Sequence, residues 1–270
     1  MGRAVLQLIK PTAGRVMFVG HDLTAADEPA LRHMLQRMHM VFQDPLGSLN
    51  PRLSVGQAVA ELMLTHGLAD ATDWHEKVVA LFELVGLDPS MIDRYPHKFS
   101  GGQRQREGIA RALAPQPDFI VCDEPVSALD VSIQALIVNL LEYLRERLGL
   151  TYLFIANDLA VVCHVSDRVA VMYLGRIVEV AAKAGLYERP LHPYTHALLS
   201  AVPIPDREIE AGRQRTLLPG EVPGPLDPPT GSTLHPHCER AIATCQTTRP
   251  ELRPQGVCHW VACHLYYDED

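Results

Sequence analysis

Residues 118–125, Asp-Phe-Ile-Val-Cys-Asp-Glu-Pro, set the strongest limit on what this chain can fold into. The run from Phe119 to Cys122 has no polar face. A short, wholly apolar segment ending in two acids predicts a strand buried on both sides in a parallel sheet. Asp123 and Glu124 then fall at the carboxyl edge of that sheet, where open α/β folds bind their ligands. Adjacent acids there suit a division of labour, in which one holds a divalent cation through water and the other accepts a proton from an attacking water. Taken alone, the two residues fit a solvated loop equally well.

The segments around this run support an α/β fold. Residues 15–20 predict a short strand, 31–37 a helix, and 38–42 a strand ending at Gln43-Asp44-Pro45. Helical periodicity then runs over 55–66, 73–85 and 101–114, with turn signals at Gly67, at Gly86-Leu87-Asp88-Pro89 and at Tyr95-Pro96. An amphipathic helix is expected over 132–148, stopped by Gly149. Residues 151–157 form a second buried strand, 159–165 a short helix, and a hairpin turns about Gly175. Strands alternating with helices imply a largely parallel sheet, and the all-helical middle reads as an inserted subdomain. Residues 202–230 are rich in Pro and Gly and predict an extended connector.

The string FSGGQRQREGIARAL, residues 99–113, carries a second chemical signal. Ser100 can cap the helix, and Gly101-Gly102 allow close approach of a ligand. A helix N-terminus with free N–H groups and a positive dipole end suits an anion. A Gly-rich turn before a basic amphipathic helix accounts for the same residues, so a lone Ser-Gly-Gly would say little. The complete string, just upstream of a strand ending in Asp-Glu, is far more specific.

Ser100-Gly101-Gly102-Gln103 resembles the signature motif of ABC-type ATPases. Residues 119–124 resemble their Walker B strand, Ser127-Ala128-Leu129-Asp130 their D-loop, and Gln43 in MVFQDP their Q-loop. Order and spacing fit over nearly all of residues 1–200. The strings VFQDPLGSLNPRLSVGQ, IVCDEPVSALDVSIQA and HPYTHALL, and the cysteine-bearing tail, are similar to the ATP-binding subunits of bacterial dipeptide, oligopeptide and nickel importers. The resemblance implies an ABC-type P-loop nucleotide-binding domain over 1–201 with a helical subdomain at about 54–115. An irregular, Cys-containing extension follows over 202–270.

It also implies ATP and Mg²⁺ as cofactors. Gln43 would contact Mg²⁺ and the attacking water, Asp123 would bind Mg²⁺ through water, and Glu124 would be the general base. Ser100, Gly101, Gly102 and Gln103 would meet the ATP held by a partner chain, and Asp130 would communicate across the dimer. The implied partners are a second, homologous ATPase subunit, two membrane permease subunits and, indirectly, an extracytoplasmic substrate-binding protein. The expected location is peripheral, on the cytoplasmic face of the membrane.

Three departures stand out. The family's G-x-x-x-x-G-K-[ST] loop, whose N–H groups and Lys hold the β- and γ-phosphates, does not occur in the 270 residues. Segment 2–9, GRAVLQLI, is similar to the stretch just after that loop in relatives. Asn157 stands where the family has a His that contacts the γ-phosphate. Asn can donate through its amide but cannot carry charge, and it also suits a helix cap. In the tail, Cys238, Cys245 and Cys263 match a four-cysteine pattern that holds an iron-sulfur cluster in some relatives, but Ser232 occupies the first position. Cys258 could complete the four, and His235, His237, His259 and His264 add candidate zinc ligands. The displaced ligand weighs against a metal.

Composition excludes several other classes. A formal net charge of −8 argues against a general nucleic-acid binder. No apolar run approaches the roughly 20 residues of a bilayer span, and the first residues lack the layout of a signal peptide. The expectation is a soluble cytoplasmic protein able to dock on membrane subunits. A non-catalytic partner that only lends its signature motif is the alternative reading. If Met1 lies just past the missing loop, the DNA upstream of codon 1 reads in frame as a strand followed by G-x-x-x-x-G-K-[ST]-T. Sequencing that region checks this, and a stop codon or frameshift close upstream defeats it.

Overall fold

The computed structural model describes residues 1–202 and 216–267, except 45, 46, 48, 217, 221, 222 and 225. Most of the expected connector therefore lies outside the described residues. The chain divides into two compact units, Met1–Asp158 and Leu159–Asp270. The boundary expected at 201/202 falls inside the second unit.

Three parallel strands form the heart of the first unit: β3 (Met38–Val41), β4 (Phe119–Asp123) and β5 (Thr151–Ile155), with β4 in the middle. Met38 pairs with Phe119 and Val41 with Cys122; Phe119 pairs with Thr151 and Asp123 with Ile155. The strands therefore end nearly level. Ile120, Val121 and Cys122 are buried, as their unbroken apolar character requires.

The expected strand at 15–20 is instead a tight hairpin, β1 (Met17–Phe18) against β2 (His21–Asp22). Val19 and Gly20 both adopt positive φ, 49° and 80°. This two-residue loop matches the right-handed twist of a hairpin. The N-terminal helix α1 is only Gly2–Val5. Leu6 and Leu23 pack with Met38, Met40 and Val121 as one core cluster. Helix α2 (Glu28–Gln36) starts earlier than its periodicity suggests, because the Asp27 carboxylate accepts the N–H of Ala30.

The helical periodicity read over 55–66, 73–85 and 101–114 corresponds to α3 (Val55–Thr65), α4 (Trp74–Val85) and α5 (Gly101–Leu113). Helices α3 and α5 open with capping boxes: Ser54 with Gln57, and Ser100 with Gln103. Each such cap contributes about 1 kcal/mol. Helix α6 (Val131–Leu148) is capped by Asp130 and ends at Gly149 with φ 68°.

The second unit holds helix α7 (Leu159–Val165) and a four-stranded antiparallel sheet of β6 (Arg168–Tyr173), β7 (Arg176–Ala182), β8 (Arg253–Pro254) and β9 (His259–Val261), in the order β6-β7-β9-β8. The hairpin β6 (Arg168–Tyr173) and β7 (Arg176–Ala182) turns at Leu174-Gly175, as expected. Two helices follow, α8 (Lys183–Glu188) and α9 (Pro193–Ser200). The extension is more regular than its composition suggests. It contributes α10 (Ala243–Thr247), β8 (Arg253–Pro254) and β9 (His259–Val261), with β9 paired to β7.

Glu179, fully buried on β7, is the polar hub of this unit. Its carboxylate accepts the N–H groups of Leu191 (2.7 Å) and His192 (3.0 Å), and its Oε1 lies 2.7 Å from His259 Nε2 on β9. His192 is the N-cap of α9, its Nδ1 accepting the Tyr194 N–H, with Pro193 at the first helical position. The HPY string is thus a helix start held in place by a buried acid.

Two buried carboxylates have opposite consequences. Glu107 on α5 is fully buried, and neither of its oxygens has a hydrogen-bond partner among the described residues. Burial pushes its pKa up to about 8, against a weaker opposing pull from Arg111. Its neutral form is favoured in the fold, so its contribution to stability is complete below the ordinary value of 4.5 and is lost as pH rises towards 8. At about 1.4 kcal/mol per pKa unit, several kcal/mol are at stake. Melting temperatures measured from pH 5 to 8.5 should fall for the natural chain and stay nearly flat for Glu107→Leu. Glu179→Ala leaves its donors unpaired and should cost about 3 kcal/mol in denaturant unfolding.

Candidate nucleotide site

Each core strand delivers one polar residue to the shared carboxyl edge. Gln43 lies two residues beyond β3, Glu124 directly follows β4, and Asn157 lies two residues beyond β5. Gln43 Nε2 donates to Glu124 Oε2 at 2.7 Å, and Asn157 Nδ2 donates to Glu124 Oε1 at 2.7 Å. Two neutral amides from flanking strands therefore fix both oxygens of one carboxylate.

The backbone holds Glu124 as firmly. It adopts φ 47°, a left-handed conformation that is uncommon for a residue with a side chain. Its N–H donates to the Ile155 carbonyl at 2.9 Å. Its own carbonyl accepts from the Ser127 hydroxyl at 3.2 Å and the Ser127 N–H at 3.3 Å. Ser127, the first residue of the D-loop string, thus supports the Glu124 backbone, a role that the motif itself does not state. Asp123, the last residue of β4, is half-buried beside Glu124.

The signature residues form a second group at the start of α5. The Ser100 hydroxyl accepts the Gln103 N–H at 3.3 Å, and the Ser100 N–H donates to Gln103 Oε1 at 3.0 Å. A β-carbon on Gly102 would lie 2.7 Å from Ile133 Cγ2 on α6, and one on Gly101 would lie 3.3 Å from Leu129. The two glycines let the start of α5 sit directly on the segment that follows Glu124. Asp130 is spent as a helix cap, its Oδ1 accepting the Ile133 N–H at 3.0 Å. The nine site residues predicted from sequence thus fall into two groups, joined through residues 127–133.

At the carboxyl edge of the sheet, the carboxylate of Asp123 and the side-chain carbonyl of Gln43 are hard oxygen donors, the type that suits Mg²⁺. The cysteines do not fit the metal set expected for them. Cys238, Cys245 and Cys263 line one small cavity in the second unit, with His235 and His264. Cys258 is not among its lining residues; it is exposed, in the turn before β9, at φ 56°. Each candidate histidine commits one ring nitrogen elsewhere: His235 to the Ser232 carbonyl, His237 to that of Pro219, His264 to that of Thr248, and His259 to Glu179. Among the described residues, no group of three or more His, Cys, Asp or Glu is arranged to hold a metal ion. The four-cysteine set is therefore corrected to three thiols, and burial raises the pKa of Cys238 and Cys263.

Comparison with known proteins agrees with this geometry. Residues 2–127 match the model of the ABC transporter family, and 178–245 match the oligopeptide/dipeptide transporter C-terminal region. The chain is 50% identical over 266 residues to the oligopeptide transport ATP-binding protein AppF of Bacillus subtilis, covering 98% of this chain and 81% of AppF. It is 50% identical to OppF of Salmonella typhimurium over 262 residues, covering 97% of this chain and 78% of OppF. Among solved structures it resembles the ATP-binding cassette MJ0796 bound to ADP and Pi, with a TM-score of 0.61 and 26% identity. That match covers 68% of this chain and 79% of MJ0796. The chain belongs to the ABC transporter ATP-binding proteins, within the group that carries the oligopeptide/dipeptide transporter C-terminal region.

Proposed function

We propose that this chain is the ATP-binding subunit of a peptide importer, and that Glu124 is the base of its hydrolytic site. One observation carries the reading: a single carboxylate, at the end of the central strand, is oriented by amides from both neighbouring strands. A base held in this way needs little reorganisation to accept a proton from water. Relatives named for oligopeptide or peptide transport favour a peptide cargo over nickel.

The roles divide by group. Asp123 and Gln43 would hold Mg²⁺, which would supply positive charge to the phosphate oxygens. Gln43 and Asn157 keep the Glu124 carboxylate aimed. Asn157 does so without carrying charge, in place of the histidine found in the family. Ser100, Gly101, Gly102 and Gln103 present a helix N-terminus to the nucleotide of a second ATPase subunit. Asp130 fixes the start of α6 beneath that surface, so closure on the partner would reach Glu124 through residues 127–133. Two membrane permeases and an extracytoplasmic binding protein complete the proposed assembly, with this subunit peripheral on the cytoplasmic face.

The phosphate-loop string is not among the 270 residues, so the chain by itself should turn over ATP near background. In the assembled transporter, Glu124→Gln should lower ATP turnover by about 100-fold or more if this site is a working one. Unchanged turnover with Glu124→Gln, together with loss on Ser100→Arg, would instead identify a subunit that only lends its signature motif.

A further inference from the structure

Three cysteines from separate segments of the chain meet in the second unit. Cys238 follows the 3₁₀ turn His235–His237, Cys245 lies within α10, and Cys263 stands two residues beyond β9. All three line one cavity of about 10 Å³, together with Arg240. That is room for about one water molecule, so the groups around it face one another across a few ångströms. Their thiols are free in the structure. Among the described residues they form no group suited to a metal ion, so the chemistry left to them is that of thiols alone.

The thiols also sense one another. Burial raises the pKa of Cys263, and the neighbouring Cys238 and, less strongly, Cys245 add to the rise. Burial raises Cys238 as well, with Cys245 adding to it. Groups that favour a thiolate oppose this. The Arg240 N–H acts on Cys238, the Leu265 N–H acts on Cys263, and the positive charge of Arg240 acts on both.

Exposure and backbone set an order among the three. Cys238 is half-buried, whereas Cys245 and Cys263 are each only 8% exposed. An external reagent therefore meets Cys238 first, since thiol reactivity depends on access. Cys245 is held inside α10. Its carbonyl accepts the Ser232 N–H at 2.8 Å, and a β-carbon on Gly231 would lie 2.4 Å from that oxygen. Cys238 and Cys263 have extended backbones, with φ −101° and −150°. They escape the limits that a helix places on side-chain rotation.

We propose that Cys238 and Cys263 are a modification site that forms a reversible disulfide by exchange with a low-molecular-weight disulfide such as oxidised glutathione. The Cys238 thiol loses its proton to solvent and its sulfur attacks one sulfur of the reagent. A mixed disulfide forms, and one glutathione thiolate leaves and is protonated. The Cys263 thiolate then attacks the Cys238 sulfur and releases the second glutathione. Two protein thiols are oxidised, and one external disulfide is reduced to two thiols. Cys245 keeps its thiol. The bond ties the segment after β9 to the 3₁₀ turn, and so fastens the strand that pairs with β7.

Peptide mapping tests the assignment. The full chain is incubated with oxidised glutathione at pH 8, its remaining thiols are alkylated in denaturant, and unreduced peptides are identified by mass spectrometry. At least half of the chains should carry a Cys238–Cys263 cross-link with Cys245 alkylated, and dithiothreitol should remove the link. Cys245→Ser should retain the cross-link. Cys263→Ser should lose it and leave glutathione on Cys238. If a serine variant fails to fold, the map of the natural chain decides alone. A map with Cys238 and Cys263 both alkylated, with glutathione retained on Cys238, or with Cys238 joined to Cys245, overturns the proposal.

Discussion

The parallel register of β3, β4 and β5 is the constraint from which the first unit takes its meaning. Val41 pairs with Cys122, and Cys122 with Phe154, so all three strands stop at one level. Only then can Gln43 and Asn157 reach the same carboxylate. A one-residue slip of either outer strand would turn its side chains to the opposite face and break the contact with Glu124. The apolar content of β4, buried on both sides, is what holds that register. The arrangement of Gln43, Glu124 and Asn157 is thus a product of core packing.

A second layer of organisation lies in the segment after Glu124. Ser127 ties back to the Glu124 carbonyl, Leu129 meets Gly101, and Ile133 meets Gly102. Within a few residues the chain passes from the Glu124 carboxylate to the underside of the signature helix. This gives the resemblance to ABC ATPases a physical content: the segment that directly follows Glu124 packs against the start of the signature helix. A substitution at Leu129 or Ile133 would therefore disturb both groups at once.

Much of this was legible in the sequence, for identifiable reasons. Strand β4 declared itself through an unbroken apolar run, and α5 and α6 through Ser100 and Asp130 as caps. Gln43, Glu124 and Asn157 could be placed at strand ends because parallel strands present their carboxyl termini together. Other features left little trace. The hairpin at Val19-Gly20 depends on Val19 taking a left-handed conformation, which its side chain disfavours. Strands β8 and β9 form because β7 offers a free edge to pair with, a fact absent from their own composition. Glu107 breaks the apolar face of α5, yet periodicity cannot say whether a partner awaits it. Cys258 fell outside the thiol group because of a turn whose geometry is not encoded in cysteine spacing.

The pairing of β9 with β7 has a consequence for handling the chain. Strand β7 is interior to its sheet only while β9 covers its outer edge. Removing residues 253–267, by proteolysis or by trimming a clone, would uncover a row of backbone donors and acceptors along Glu179–Ala181. It would also strip His259 from the buried acid. A bare edge of this kind recruits strands from neighbouring molecules. A shortened version would therefore be prone to self-association, and an engineered boundary is best kept clear of this last strand.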